Sequence, residues 1–240
     1  MQELFAILSK KRAYGERLVF DMTFDFHTHS FYSDGVLSPI ELIRRAHCAG
    51  YRAIAVTDHA SSGNLESVIR EVTKDCALAE KYWGIKAIAG VELTHVPAGY
   101  IDTCAKMAKN LGARIVLVHG ETPVEPVEPG TNRAALSSDY VDILAHPGFI
   151  TTEEALLAVE KGIYLEVTAR GGHSLTNGHV VKVGLSVGAK FLVNSDSHTM
   201  GDLMASGFAA KVAQGAGMPV EAIEAVLVEH PLALLRKIGS

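Results

Sequence analysis

Eleven histidines stand in a chain of 240 residues that holds one Trp and seven Tyr. Their placement carries more information than their number. Asp25-Phe26-His27-Thr28-His29 is followed by Ser33-Asp34-Gly35. Further along come Thr57-Asp58-His59, Glu92-Leu93-Thr94-His95, His119-Gly120-Glu121, Ala145-His146-Pro147-Gly148, Arg170-Gly171-Gly172-His173 and Asp196-Ser197-His198. Imidazole and carboxylate donors without thiolate suit Zn, Mn or Fe. On an extended segment His27 and His29 share a face, because side chains alternate with a period of two, and Phe26 points away toward packing. Asp196 and His198 repeat that spacing. So many donors exceed what one tetrahedral zinc requires, which implies two or three ions with Glu92 as a natural bridging carboxylate.

The elements that must position these residues alternate. Strand-length apolar runs fall at 22–26, 52–57, 86–91, 113–118, 141–145, 163–168 and 190–194. Near-continuous apolar runs are what strands buried on both faces require. Ser38-Pro39-Ile40-Glu41 reads as an N-cap, a first-turn proline and an acid opening a helix toward Gly50. Helical patterns also cover 64–83, 97–111, 177–188 and 218–229, and Thr151-Thr152-Glu153-Glu154 caps one ending near Gly162. Alternating strands and helices imply parallel βαβ units, and seven of them fit a closed α/β barrel better than an open sheet. His27, His29, His59, His119, His146 and His198 follow strands directly, with His95 and His173 slightly further on. In such barrels the reacting groups gather at the C-terminal rim. His47, His179 and His230 read as ordinary helix-face residues.

Composition narrows the class. Hydrophobic residues make up 48% and charged residues 20%, which excludes a disordered or fibrous chain. Twenty-two Lys and Arg against 27 Asp and Glu leave a net charge of -5. That balance argues against a nucleic-acid partner, although a nucleotide substrate stays open. No apolar run is long enough for a membrane helix, and the first residues break their apolar run with Lys10, Lys11 and Arg12 without a cleavage site, so no membrane association and a cytoplasmic location are expected. Three widely spaced cysteines agree with that location. The expected organisation is one domain: a helical extension over 1–20, the barrel motifs over 21–200 and C-terminal helices over 201–240. Glu121–Gly130, with three prolines and three glutamates, reads as a rigid exposed loop.

The ordered motifs DFHTHS-x3-DG from Asp25, VTDHA from Val56, GVEL from Gly90, VHG from Val118, AHPG from Ala145 and NSDSH from Asn194 resemble the PHP (polymerase and histidinol phosphatase) superfamily. The resemblance implies a distorted (β/α)7 TIM-like barrel carrying three divalent metal ions (Zn, Mn or Fe) at its C-terminal rim, and a metal-dependent phosphoesterase. Carried over by motif, His27, His29, Glu92 and Asp196 would hold the first ion. Glu92, His119 and His146 would hold the second, and Asp34, His59 and His198 the third. Many members have histidine where this chain has Asp34. The implied reaction is hydrolysis of a small phosphorylated metabolite, a histidinol-phosphate-like monoester first, by attack of a metal-bound hydroxide, with Glu92 and Asp196 central to the catalytic set. The alternatives are a phosphodiesterase or exonuclease acting on nucleotides or short oligonucleotides, and a non-catalytic metal-binding or regulatory domain. An amidohydrolase would normally show a barrel lysine where Glu92 stands.

Other residues have competing readings. Arg170, on the expected rim beside Gly171 and Gly172, is expected to hold substrate phosphate bidentately. His173 is expected to assist as a phosphate donor or leaving-group acid. Asp25 and Asp58 either orient ligand imidazoles or make loop hydrogen bonds. Glu166 either lines the rim or pairs with a buried base, and His95 either enters the pocket or makes a surface contact. Asn132 and Arg133 either gate the pocket or bind substrate, or form a capped surface turn, the favoured reading, and Met200, Met204 and Met218 read as packing.

Overall fold

Apolar and β-branched runs form parallel strands where the sequence places them, in a computed structural model that describes residues 22–239. The helix expected over 1–20 lies outside the described residues. The strands are β1 (Thr23–Asp25), β2 (Tyr51–Val56), β3 (His59–Ala60), β4 (Lys86–Leu93), β5 (Ile115–His119), β6 (Ile143–Ala145), β7 (Tyr164–Thr168) and β8 (Phe191–Asn194). β3 is the far end of β2. Val56 pairs with Ala89 and His59 with Glu92 in one continuous register on β4, across a break at Thr57 and Asp58. Sheet order otherwise follows chain order and every pairing is parallel.

The barrel nearly closes between β8 and β1, and side chains fasten that seam. Phe26 N donates to Asn194 Oδ1 at 2.9 Å, and Ser195 N donates to Asp25 Oδ1 at 3.1 Å. Beyond the strands, His29 N donates to Ser197 O at 2.8 Å. The architecture is the distorted seven-stranded α/β barrel that the motifs imply.

Inside the barrel, Phe24, Phe26, Ala53, Ala55, Ile88, Ile115, Leu117, Ile143, Tyr164 and Leu192 form one apolar cluster. A second, larger cluster lies between the strands and the helices α1 (Pro39–Cys48), α2 (Leu65–Trp83), α3 (Ile101–Asn110), α4 (Thr131–Ser137), α5 (Thr152–Lys161) and α6 (Asn177–Val187). Ser38 caps α1 through Glu41 N, and Thr151 and Glu154 form a reciprocal capping box on α5, which satisfies backbone donors otherwise left orphaned. A short 3-10 turn, Ala98–Tyr100, precedes α3.

The C-terminal region departs from expectation. α7 (Phe208–Gly215) is additional, and the helix expected to stop at 229 does not stop. α8 (Val220–Glu224) runs through a π-turn over Ala225–Glu229 into α9 (His230–Lys237). Pro231 lacks an N–H, and the widened turn precedes it. Leu234 and Leu235 then join the interior cluster. His230 Nδ1 lies 2.9 Å from Phe191 O and Lys237 Nζ 3.2 Å from Asp142 Oδ1, at the N-terminal ends of strands. α9 therefore seals the end of the barrel opposite the histidines. Met204 and Met218 fill the core, whereas Met200 is exposed. Among the described residues no helix is long and apolar enough to cross a membrane.

Candidate metal centre

Because all strands run the same way, their C-terminal ends bring the donors to one rim. β1 delivers His27 and His29, β3 begins at His59, β4 carries Glu92, β5 ends in His119, β6 is followed by His146, and β8 is followed by Asp196 and His198. Four donor groups result among the described residues, each with ligand atoms within 4.8 Å of one another. They are His27–His29–Asp196, His27–Glu92–His146, His29–Asp34–His59–His198 and His119–His146–His173. The nine motif positions thus converge, and His173 joins them.

Glu92, fully buried, spans two groups. Its Oε1 lies 3.4 Å from His27 Nε2 and 3.5 Å from His146 Nε2. Its Oε2 lies 3.7 Å from His29 Nε2 and 2.7 Å from His59 Nδ1. Asp196 Oδ1 is 3.2 Å from His29 Nε2, and Asp34 Oδ2 is 3.1 Å from His198 Nε2. These residues fit divalent cations by donor chemistry and by burial. His27 Nε2, His29 Nε2 and Glu92 Oε1 are buried polar atoms without a hydrogen-bond partner. Such atoms are costly unless something else satisfies them.

A surrounding layer aims the donors. Glu166 Oε2 lies 2.7 Å from His27 Nδ1 and accepts from Asn194 Nδ2 at 3.1 Å. The acid in the apolar β7 run is therefore the carboxylate behind an imidazole. Asp25 and Asp58 instead make loop hydrogen bonds. Asp25 Oδ1 accepts from Ser195 N and from His27 N. Asp58 accepts from the N–H and hydroxyl of both Ser30 and Ser33, which shapes the loop leading to Asp34. Thr94 Oγ1 lies 2.7 Å from His59 Nδ1, and Asp202 Oδ2 accepts from His198 N at 3.0 Å.

Crowding sets the electrostatics. Burial opposes charge on His27, but Glu166, Glu92 and Asp196 outweigh it and hold its pKa well above the ordinary imidazole value. His59 is pushed up to about 10, with burial overcome by Glu92 and Asp34. Burial pulls His119 and His173 down to about 4. Glu92 and Asp196 lie well below the usual carboxylate range, because His27 and other imidazoles overcome the penalty of burial. Cation binding would replace these shared protons.

The backbone is distorted at the same place. Among the described residues, the non-glycine residues with positive φ are His95 (51°), His146 (26°) and Asp196 (52°). L-residues adopt that region at a cost, and such outliers cluster at functional sites.

Arg170 lines the donor pocket together with Asp34, His59, His119, His146, His173, Asp196 and His198. Its Nη1 lies 3.6 Å from Asp202 Oδ2. It also walls a neighbouring cavity of about 560 Å³, lined further by Ser195, Asp202, Leu203, Ala205 and Phe208. His95 stands at the rim, 5.5 Å from His119 between ring centroids. Asn132, expected in a surface turn, is buried and braces the loop ends. Its Oδ1 accepts from Glu121 N and its Nδ2 donates to Pro147 O. His179 likewise braces a loop, with Nε2 2.8 Å from Ile150 O.

Sequence reasoning missed Glu125. Its Oε2 lies 3.2 Å from His119 Nε2, and its Oε1 lies 3.4 Å from His173 Nε2. The loop around it read only as exposed and rigid. The one available signal was a glutamate between prolines, which also occurs in solvated linkers.

The sequence profile described as PHP domain matches residues 25–161. An uncharacterized protein of Methanocaldococcus jannaschii is 50% identical over 218 residues, covering 90% of this chain and 100% of that protein. A "probable phosphatase" of Caldanaerobacter subterraneus subsp. tengcongensis is 29% identical over 234 residues, covering 86% of this chain and 88% of that protein. A solved structure from work on YwqE of Bacillus subtilis and CpsB of Streptococcus pneumoniae, described as unique metal-dependent tyrosine phosphatases, superposes with a TM-score of 0.57. It is 19% identical and covers 89% of this chain and 94% of that one, a likeness of fold.

Proposed function

The chain belongs to the PHP domain family of metal-dependent phosphoesterases, and from that premise we propose that it is a phosphomonoesterase acting on a small phosphorylated metabolite at the histidine–carboxylate rim. The convergence of nine donor side chains from six strand ends carries this reading. We assign His27, His29, Glu92 and Asp196, then Glu92, His119 and His146, then Asp34, His59 and His198 as the residues that hold three divalent ions, of zinc, manganese or iron. Bound there, such ions supply Lewis acidity and lower the pKa of water toward neutrality.

The chain's own residues do the rest. Glu92 Oε1 faces both His27 and His146, one residue from each of the first two groups, and its Oε2 faces His29 and His59. Glu166 holds the His27 ring so that Nε2 faces the rim. Arg170 is assigned to the phosphate, where a planar fork of donors matches its oxygens and offsets charge as it develops. The cavity beyond Arg170, at about 560 Å³, has the volume of a metabolite site and would receive the leaving group. A histidinol-phosphate-like monoester is the first substrate to try. Burial pulls the His173 pKa down to about 4, so the ring is neutral at pH 7 and does not suit the role of leaving-group acid.

A second reading, a nucleotide diesterase, has one observation in its favour: Phe31 and Tyr32 are exposed beside Asp34 and offer a stacking surface. We also place the chain in a reducing compartment, the cytoplasm, in keeping with the free thiols of Cys48, Cys76 and Cys104. The test is hydrolysis of an aryl phosphate and of its bis-ester with Mn, Zn or Fe. Turnover of the monoester is expected. No turnover of either overturns the proposal, and preference for the bis-ester selects the second reading. His119→Ala and Glu92→Gln should each abolish turnover; survival of activity in both refutes the ligand assignment.

A further inference from the structure

The loop 121–130 divides its three glutamates among three tasks. Glu121 Oε1 accepts from Gly130 N at 3.0 Å and Asn132 N at 2.8 Å, clamping the loop's ends together. Glu128 Oε2 accepts from Ala98 N at 3.0 Å and ties the loop to the turn before α3. Pro123, Pro126 and Pro129 lower the entropy lost in holding this shape. Glu125 is the glutamate that turns inward. Its Oε2 lies 3.2 Å from His119 Nε2 and 3.6 Å from His95 Nε2, and its Oε1 lies 3.4 Å from His173 Nε2. The same loop aims His173, whose Nδ1 lies 2.8 Å from Thr122 Oγ1, leaving Nε2 toward the pocket.

These spacings have a geometric meaning. Donors around one tetrahedral ion with bonds of about 2.1 Å stand about 3.4 Å apart. The Glu125 oxygens meet His119 and His173 at that separation. His119, His146 and His173 already form a group whose ligand atoms lie within 4.8 Å. His146 and His173 are stacked at 4.2 Å between ring centroids, so the Nε2 side of this face is built from packed, buried rings.

We infer that Glu125 and His173 are additional metal ligands, which extend the His119–His146 side of the centre and make the proline-rich loop part of it. The inference rests on the metal-dependent reading above, and goes beyond the nine motif positions.

The test uses the full chain, stripped of metal and titrated with Co²⁺ while visible absorption is followed. Glu125→Ala and His173→Asn are each expected to weaken one cobalt equivalent by about tenfold or more and to change its absorption band, leaving the other equivalents as they were. Glu125→Gln, which keeps the shape and loses the charge, should weaken it less than Glu125→Ala. Glu125 is 37% exposed, so its removal should leave the thermal melt of the metal-free chain unchanged. Cobalt affinity, stoichiometry and spectrum in Glu125→Ala equal to those of the unmodified chain overturn the inference. Turnover is read separately on the same samples. A Glu125-dependent cobalt signal in a chain that hydrolyses no phosphate ester supports the ligand assignment and overturns the substrate reading alone.

Discussion

Glu166 Oε2 and His27 Nδ1 lie 2.7 Å apart, both side chains wholly buried, although 139 residues separate them in the chain. The bond holds the imidazole ring and raises its basicity, so that Nε2 is presented to Glu92 and Asp196. Glu166→Gln should preserve the packing and lose the charge. The expected result is metal affinity lowered by about 10 to 100-fold, read by chelator competition, with a nearly unchanged far-UV spectrum. Unaltered affinity would mean that His27 is oriented by its backbone alone.

Gly148 sits at φ 64°, and a Cβ there would lie 1.8 Å from Glu121 O. Only a residue without a side chain lets the strand-end turn at His146 pack against the start of the proline-rich loop. Gly148→Ala should therefore destabilise the chain by about 1 to 3 kcal/mol, read by thermal or urea unfolding, and should also impair metal binding by moving Glu121 and the loop it clamps. A variant as stable as the parent would show that the two loops are free to separate.

Local signals were legible in the sequence and long-range ones were not. Ser38 and Thr151 cap helices as their spacing predicts, because a cap needs only neighbours three residues away. His27 and His29 share a face for the same reason. Glu166 was visible as an acid in an apolar strand, but its partner depends on barrel closure, which brings β1 beside β8. Asp25 illustrates the converse, since it fastens that closure through Ser195 N and does not aim a ring. Glu125 reaches His119 and His173 through loop geometry that no periodicity encodes. The positive φ of His146 and Asp196 is likewise imposed by the fold and not by residue type.

The metal-free chain should be most stable near neutral pH. His119 and His173 have folded pKa values of about 4, below the ordinary 6.5. Between these values the unfolded chain binds protons that the folded chain refuses, so stability falls as pH drops from 6.5 toward 4. Each imidazole contributes at most about 3 kcal/mol to that loss. His59 has the opposite sign. Its pKa of about 10 gives stabilisation that is complete below 6.5 and is lost as pH rises toward 10. Melting temperatures of the chelated protein from pH 4 to 10 should trace a maximum between the two flanks. Asp25, pushed up to about 7 by burial, opposes the acid flank with one proton against two, so the fall toward pH 4 remains, and stability that rises there would contradict the burial of neutral His119 and His173.

Arg170 separates the donor pocket from the neighbouring cavity, and its guanidinium is loosely held, 3.6 Å from Asp202 and about one-third exposed. A weak, partly solvated ion pair adds little to folding, so Arg170→Ala should change stability by no more than about 0.5 kcal/mol. Its effect should fall on the reaction. Loss of a bidentate phosphate contact that strengthens as charge develops is expected to lower kcat/KM for an aryl phosphate by about 100-fold. Arg170→Lys should recover only part of that, because an ammonium supplies charge without the planar fork. Asp202→Asn offers a control on the same pair. It releases Arg170 from its partner while leaving the guanidinium in place, so it should retain more activity than Arg170→Ala. Equal losses in the two variants would instead assign the effect to the Asp202 contacts with His198 N and Thr199 N.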